Sequence, residues 1–254
     1  MTAMGEATTG ELDLGRVIKD LFGVLSRNFV TFLILTLILV GLPALLSGYV
    51  QMSLLRQGHL FDWRASLAGL AAALGGLILQ GTVIYGTVTD MNGRRASLAD
   101  SLSIGLRSFL PLLGIGILFF IAFLIGCILL IVPGVMIAVI WCVAVPAYVV
   151  EQPPLLDSFG RSAELTRGNR WRIFALFILY VVVILIVEAV SGVFGTASRL
   201  AAGGGIPMFQ ALVITPLINV ATALVSATGA AVLYVELRRL RDGVGPAGLT
   251  AAFD

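Results

Sequence analysis

The stretch from Tyr148 to Trp171, YVVEQPPLLDSFGRSAELTRGNRW, places a short charged segment between two long apolar runs. Its residues separate onto two sides of a helical wheel, with Leu155, Leu156, Phe159 and Ala163 on one side and Asp157, Arg161 and Glu164 on the other. Pro154 suits the first turn of this helix, because its missing N–H would have no partner there. The pattern predicts an amphipathic helix that lies in a membrane interface and joins two spans.

The composition of the whole chain indicates a membrane protein. Hydrophobic residues make up 59% of the 254 residues and charged residues 12%, whereas a soluble domain carries about 25% charged residues. The charges are bunched, and the uncharged runs between them approach the roughly 20 residues that a helix needs to cross a bilayer core. We predict an all-α transmembrane bundle with six spans, at about 29–50, 65–88, 110–131, 135–150, 172–193 and 208–235. They form one integral membrane domain over residues 12–242, between a flexible N-terminus (1–11) and a disordered tail (243–254).

Two earlier segments share the character of the stretch after Tyr148. The first is the amphipathic segment from residue 14 to 29, and the second runs from residue 90 to 108. Three positions recur in both at the same internal spacing, namely Asp20, Arg27 and Phe29 in the first and Asp100, Arg107 and Phe109 in the second. We therefore expect three amphipathic interfacial helices on the cytoplasmic side, and a weak threefold repeat of one interfacial helix followed by two spans.

Two proline positions predict local geometry in the spans. Pro43 lies inside the first span and predicts a kink near its outer end, because proline cannot complete the helical hydrogen-bond pattern. Pro133-Gly134 lies between the third and fourth spans without any charge nearby. This dipeptide predicts a tight turn, so that the third and fourth spans form a hairpin.

The distribution of basic residues predicts the orientation. Three of them fall in the loops of one side, namely Arg56, Arg64 and Arg199. The other 13 fall on the opposite side, namely Arg16, Lys19, Arg27, Arg94, Arg95, Arg107, Arg161, Arg167, Arg170, Arg172, Arg238, Arg239 and Arg241. The positive-inside rule then places both termini in the cytoplasm of a multi-pass protein of the bacterial inner membrane.

Several motifs resemble those of a known family. In order along the chain they are Pro133-Gly134, Pro146, Val150-Glu151, Ser162-x-x-Leu165-Thr166-x-Gly168-Asn169-x-Trp171 and Tyr234-x-Glu236-Leu237-Arg238. With the amphipathic N-terminal helix, this order resembles the bacterial membrane-domain family named after glycerophosphoryl diester phosphodiesterase, over residues 12 to 241. The resemblance implies a six-helix domain that is sometimes fused to a soluble phosphodiesterase. That catalytic barrel needs about 250 residues of its own, for which this chain has no room, so we expect no activity to follow from the family name.

Residues that carry chemistry are scarce in this sequence. The chain has one histidine, His59, and no histidine and carboxylate cluster with metal-ligand spacing. It has neither a Gly-x-Ser-x-Gly elbow nor a phosphate-binding loop. The sequence therefore predicts a protein that is not an enzyme and that holds no cofactor or metal. Because the basic residues lie beside predicted spans, lipid phosphate is a simpler partner for them than nucleic acid.

Polar groups inside the predicted spans form a second set of candidates. Glu188 lies roughly 22 Å along the fifth span from its cytoplasmic end, and a carboxylate at such depth usually faces the bundle interior or water. The sixth span carries a polar stripe at spacings of three and four, formed by Thr215, Asn219, Thr222 and Ser226. We predict that Glu188 faces the bundle near Thr215 or Asn219. Either it forms a proton-linked or ligand-linked site with the stripe, or it only reaches water at the outer interface. Gln80 in the second span has the same two interpretations, with an interhelical hydrogen bond as the structural one.

These features leave three classes of function. The first is a non-catalytic membrane module that organises anionic lipids or partner proteins, possible partners being a membrane protein or a second copy of the chain. The alternative is a transporter or channel for a lipid-like or small amphipathic solute, with Glu188 and the polar stripe lining the path. The third, an intramembrane enzyme, lacks paired catalytic groups. We favour the first, and its candidate lipid contacts are Arg16, Lys19, Arg27, Arg94, Arg95, Arg107, Arg161, Arg167, Arg170 and Arg172.

Overall fold

The computed structural model describes residues 11–57, 63–94, 97–201 and 208–243, and these ranges are all-α. Ten α-helices are described: α1 (Leu14–Arg27), α2 (Phe29–Thr36), α3 (Leu42–Gln57), α4 (Trp63–Met91), α5 (Leu98–Leu129), α6 (Ile131–Ile140), α7 (Ala144–Glu151), α8 (Leu155–Leu165), α9 (Arg170–Ala201) and α10 (Thr215–Asp242). Two π-helical turns join the set, Leu37–Gly41 between α2 and α3 and Gln210–Ile214 before α10. The flexible N-terminus and disordered tail that the sequence predicts fall almost wholly on residues outside the described ranges.

Within the described ranges six helical segments are long and apolar enough to cross a membrane, which confirms the predicted fold class. They are Phe29–Val50, Ser66–Met91, Leu98–Leu129, Ile131–Glu151, Arg170–Ala197 and Gln210–Asp242. The first has the predicted bounds, whereas the third begins at Leu98 and not at residue 110, and the sixth continues to Asp242 and not to residue 235. Helix α9 differs from the rest because only 6% of its most apolar stretch is buried inside the bundle, compared with 39% for the second segment.

Both π-helical turns lie immediately before a proline of their helix. The turn Leu37–Gly41 ends two residues before Pro43, and the turn Gln210–Ile214 ends two residues before Pro216. A proline lacks the N–H that the carbonyl four residues earlier would accept, and its ring presses on that carbonyl. A π-helical turn absorbs this conflict without ending the helix. The irregularity that the sequence predicts at Pro43 is therefore a π-helical turn.

The carbonyl released by Pro43 lies against a glycine of the next span. This carbonyl belongs to Leu39, and a Cβ added to Gly75 would lie 1.9 Å from its oxygen. Only glycine leaves room for so close an approach of the two backbones. The first and second spans are therefore in contact at a point that Pro43 and Gly75 create together.

The second predicted interfacial helix is not a separate element, and this corrects the sequence prediction. The hydroxyl of Ser97 accepts a hydrogen bond from the Asp100 N–H (3.0 Å) and caps a helix that runs without a break to Leu129. Pro111 lies inside α5 but does not end it, because the buried residues Ser108 and Leu112 keep the helix packed on both sides of the proline. The threefold repeat therefore holds only in part, since only two of the three predicted interfacial helices, α1 and α8, are separate elements.

The turn between the third and fourth spans also differs from the prediction. It lies at Leu130, whose backbone is extended, and Pro133-Gly134 falls within the first turn of α6. A proline is tolerated there because the first N–H groups of a helix have no partner within it. Gly134 lets α6 pack against α5, since a Cβ at this position would lie 2.3 Å from the sulfur of Cys127. The predicted hairpin of the two spans exists, with its turn three residues earlier.

The two ends of the described chain meet at one end of the bundle. Arg16 of α1 lies 3.9 Å from the carboxylate of Glu236 near the end of α10, and Arg27 at the end of α1 pairs with Asp90 at the end of α4 (2.6 Å). Helices α7 and α8 reach the same place through Glu151 and Arg161, as described below. We call this region, formed by α1, α8 and the adjoining ends of α4, α7, α9 and α10, the charged end.

Candidate functional site

The helix of the fourth span is interrupted between α6 and α7, and a side chain of α8 forms hydrogen bonds with the backbone at this break. Helix α6 ends at Ile140 and α7 begins at Ala144, which leaves backbone groups between them without helical partners. The hydroxyl of Ser162 donates to the Ile140 carbonyl (2.8 Å) and accepts from the Val143 N–H (3.3 Å). Unpaired backbone groups are costly in a buried site. Ser162, itself fully buried, therefore makes the broken span possible.

The apolar face of α8 packs on protein and not on lipid. Phe159 and Leu165 are buried, and the ring of Phe159 lies 4.6 Å from the ring of Trp141 at the break. The predicted α8 helix therefore exists, but most of its amphipathic pattern reflects packing against the bundle. Leu156, by contrast, is 68% exposed and is available to a surrounding membrane.

A network of charged and polar groups joins α7, α8 and α10 at the charged end. The carboxylate of Glu151 accepts hydrogen bonds from Arg161 Nε (2.9 Å) and from the hydroxyl of Tyr234 (2.7 Å). Arg161 also donates to Asp242, and Arg238 lies 3.5 Å from the same Asp242 carboxylate. Burial opposes the charge of Arg161, but its bonds to Asp242 and Glu151 outweigh that effect and raise the pKa of the guanidinium above its ordinary value. The network fixes three helix ends relative to one another.

The start of the described chain is tied to the junction of α8 and α9. Asn169 accepts a hydrogen bond from the buried backbone N–H of Leu12 (2.8 Å), and Arg172 donates to the Leu12 carbonyl (2.7 Å). Arg172 also forms an ion pair with Glu11. These bonds hold the segment that leads into α1 against α9.

The ten basic residues predicted to contact lipid divide into two sets. Four of them form ion pairs with acidic residues of the chain, namely Arg16, Arg27, Arg161 and Arg172. Their charges are engaged inside the protein, and the hydrogen bond to Asp90 raises the pKa of Arg27. Five others make no ion pair with any described residue, and we call them the unpaired set: Lys19, Arg94, Arg107, Arg167 and Arg170. The tenth, Arg95, lies outside the described residues.

A pocket of about 280 Å³ opens at the charged end between α1, α4 and α10. Its walls carry three carboxylates and two arginines, namely Asp20, Asp90, Glu236, Arg27 and Arg239. Glu236 is 4% exposed, and its nearest cation is Arg239 at 3.7 Å, too far for a strong hydrogen bond. The pocket is charged but close to balanced. Among the described residues, no group of three or more histidine, cysteine or acidic side chains is arranged to hold a metal ion.

The predicted intramembrane polar residues other than Gln80 lie on α9 and α10. Two contacts bridge these helices, since Tyr180 lies beside Ser226 and Gln210 donates to the hydroxyl of Ser191 (2.8 Å). Between these two points Glu188 and Asn219 remain exposed. We call the space between the two bridges the α9–α10 crevice. Thr215 is also exposed and Thr222 is half-buried.

The prediction that Glu188 faces the bundle interior is corrected by this arrangement. Its side chain is exposed and forms no ion pair or hydrogen bond with another described residue. The proximity of Glu188 to Thr215 or Asn219 stays a prediction. The reason for the difference is that α9 stands at the edge of the bundle. Gln80 is half-buried on α4 and makes no hydrogen bond with another described residue, so the predicted interhelical bond is absent.

Sequence reasoning missed the network around Glu151 and the pocket around Glu236. Both residues stand in the motifs that carry the family resemblance, but a motif does not show which partner a side chain meets. The spacing of Tyr234 and Arg238, four residues apart on one helix, places them on one face and was the available signal.

Comparisons with known proteins give a family and no activity. The model of a family described as "Domain of unknown function (DUF7847)" matches residues 12–240 of this chain. No curated protein matches the chain, and no solved structure does.

Proposed function

The chain belongs to the DUF7847 family of unknown function, and we propose that it is a non-catalytic membrane module that gathers anionic lipids around its charged end. The observation that carries this proposal is the division of the basic residues. Four arginines form ion pairs within the protein, while the unpaired set places cations beside exposed apolar groups. Groups of this kind at the ends of membrane spans are suited to lipid phosphates.

The turn from Arg167 to Trp171 is the strongest part of this surface. Gly168 has φ +92, a backbone conformation that glycine adopts most readily. This turn leaves Trp171 83% exposed at the start of α9, as expected of an aromatic residue at the level of lipid headgroups. Arg167 is exposed, and the Nε of Arg170 is buried without a hydrogen-bond partner. Two cations and an indole ring therefore lie together where a span would enter the membrane.

Other members of the unpaired set have apolar neighbours of the same kind. Lys19 of α1 lies near exposed Phe22, and Arg107 of α5 follows exposed Leu106. Each basic residue near an anionic surface contributes on the order of 1 kcal/mol. Several such contacts at one end would enrich anionic lipids there without a deep pocket.

The location follows from the same charges. We infer that the charged end faces the cytoplasm of a bacterial cell and that the protein lies in the inner membrane, because basic residues are retained on that side. A relationship to the phosphodiesterase membrane-domain family is part of this proposal. It is supported by Ser162, Asn169 and Tyr234, which belong to the shared motifs. Their side chains form hydrogen bonds that connect the elements at the charged end.

Native mass spectrometry of two matched double variants tests the proposal. Arg167→Gln with Arg170→Gln removes two unpaired charges, and Arg16→Gln with Arg172→Gln removes two paired ones. The first variant should lose bound phosphatidylglycerol or cardiolipin and keep its melting temperature. The second should keep those lipids and melt at a lower temperature. Equal lipid loss in both variants would mean that net charge alone retains the lipids, and the proposed surface would be wrong.

A further inference from the structure

The α9–α10 crevice combines two features that are unusual at membrane depth. One is a carboxylate, Glu188, that forms no ion pair with any described residue. The other is an exposed amide, Asn219, without a hydrogen bond to another described residue. A charged or polar group that faces hydrocarbon without a partner costs several kcal/mol. Two such groups on neighbouring helices indicate a binding site more readily than they indicate packing.

Each group shares a helix side with a residue that contacts the other helix. On α9, Glu188 follows Ile184 by four residues and precedes Ser191 by three, the spacings that share a helix face. Ser191 bonds to Gln210 across the crevice. On α10, Asn219 precedes Ser226 by seven residues, which again is one face, and Ser226 lies beside Tyr180. The opposite side of α10 packs into the bundle, where Val220 lies 3.4 Å from the position of a Cβ on Gly41.

The crevice is open to the side, as a lipid-like molecule would require. The bridges at Tyr180 and Ser191 are separated by about 16 Å of helix length. Over that distance Leu185, Ile186 and Val187 on α9 are exposed in succession, so almost no side of the helix is covered. An alkyl chain can therefore lie along α9 while a polar head reaches the crevice from the membrane.

We propose that the α9–α10 crevice binds an amphiphile with a primary ammonium group, whose charge pairs with Glu188. An ammonium group has three hydrogen-bond donors and no acceptor. Glu188, the side-chain oxygen of Asn219 and the hydroxyl of Thr215 supply acceptors along the crevice, with Thr215 and Asn219 about 6 Å apart along α10. The Thr215 hydroxyl donates to the Gln210 carbonyl (3.1 Å), which leaves its oxygen free to accept. A lipid whose headgroup carries a phosphate and no cation would be repelled by Glu188.

This inference goes beyond the proposed function and is independent of it. The lipid contacts at the charged end are cationic and would hold anions, whereas the crevice is anionic and lies within the span. Such a site is also what movement of a lipid-like solute along the bundle would require. The ammonium group could belong to an ethanolamine phospholipid or to a single-chain amine.

Binding of dodecylamine and dodecanol to the protein in ethanolamine-free nanodiscs tests the inference. The two probes share one chain and differ in the charged group. Wild-type protein should bind one dodecylamine about tenfold more tightly than dodecanol, a difference of about 1.4 kcal/mol. Glu188→Gln should abolish this preference, and Asn219→Leu should reduce it. Glu164→Gln, which changes an exposed carboxylate on α8, should leave it intact.

The source of the ammonium group is decided by competition. If added phosphatidylethanolamine displaces dodecylamine from the wild type, a membrane phospholipid is the ligand, and if it does not, a single-chain amine is. Equal binding of dodecylamine and dodecanol by the wild type would overturn the inference. An undiminished preference in Glu188→Gln would overturn it as well, because the amine would then bind elsewhere.

Discussion

Replacing Ser162 with alanine removes the one side chain that satisfies both backbone groups at the break in the fourth span. The Ile140 carbonyl would lose a donor at 2.8 Å and the Val143 N–H an acceptor at 3.3 Å. Each unsatisfied buried group costs about 1–3 kcal/mol. Thr166, whose hydroxyl already lies 3.4 Å from the Ile140 carbonyl, can replace part of the lost donor. The expected loss is therefore about 2–4 kcal/mol, or a fall in melting temperature on the order of 5–15 °C.

Thermal unfolding in one detergent, followed by tryptophan fluorescence, measures this effect. Trp141 is a suitable reporter because it stands at the break and packs on Phe159. Ser103→Ala is the matched control, since the exposed Ser103 hydroxyl donates only to the Asp100 carbonyl of its own helix. The control should melt within about 0.5 kcal/mol of the wild type. If Ser162→Ala does the same, Ser162 does not hold the break, and the role given to α8 is wrong.

Three other variants test the packing of the bundle and its charged end. Gly75→Ala should destabilise the protein by about 1–3 kcal/mol because its new Cβ meets a backbone carbonyl 1.9 Å away, while Gly69→Ala, with open space around it, should not lower the melting temperature. Tyr234→Phe removes the hydroxyl bonded to Glu151 and should cost about 1–2 kcal/mol in the same unfolding assay; a value near zero would contradict the role of the network. Asn169→Ala should release the N-terminal segment, seen as faster amide exchange at the start of α1 with little change elsewhere, and unaltered exchange there would show that Asn169 does not hold it.

Hydropathy was sufficient to predict the six spans, because the length of an apolar run is set by the bilayer and needs no tertiary information. The amphipathic helix α8 was predicted for the same kind of reason. Its apolar residues, however, pack on protein, since periodicity shows that one face of a helix is apolar but not what covers it. Phe159 and Leu165 look alike on a helical wheel whether they meet lipid or Trp141.

The helix boundaries that were missed depend on contacts distant in sequence. Helix α5 continues through Pro111 because the turns on both sides of the proline are packed against the bundle. Pro133 reads as a turn residue, yet it lies inside α6 because the chain turns at Leu130. The break after Ile140 is followed by Pro146 in the first turn of α7, but the residue that satisfies its backbone, Ser162, is 22 residues away.

The sequence identified the residues of the candidate sites but not which residues pair with one another. Basic residues near spans were evident, but Arg27 and Arg107 look equivalent in the sequence. Arg27 is paired only because α1 ends beside Asp90, a fact of packing. Glu188 was identified from its depth, while its position at the edge of the bundle follows from how little of α9 is covered.

The number of anionic lipids bound per wild-type protein tests the central claim most directly. The protein is reconstituted in a bilayer of equal phosphatidylglycerol and phosphatidylethanolamine, ejected from it and weighed with its retained lipids by native mass spectrometry. If the unpaired set gathers anionic lipids, phosphatidylglycerol should exceed phosphatidylethanolamine among the retained lipids several-fold at low salt, and the excess should shrink as ionic strength rises. Retained lipids in the same equal proportion as the bilayer would contradict the claim, and the basic residues would then serve only to orient the protein.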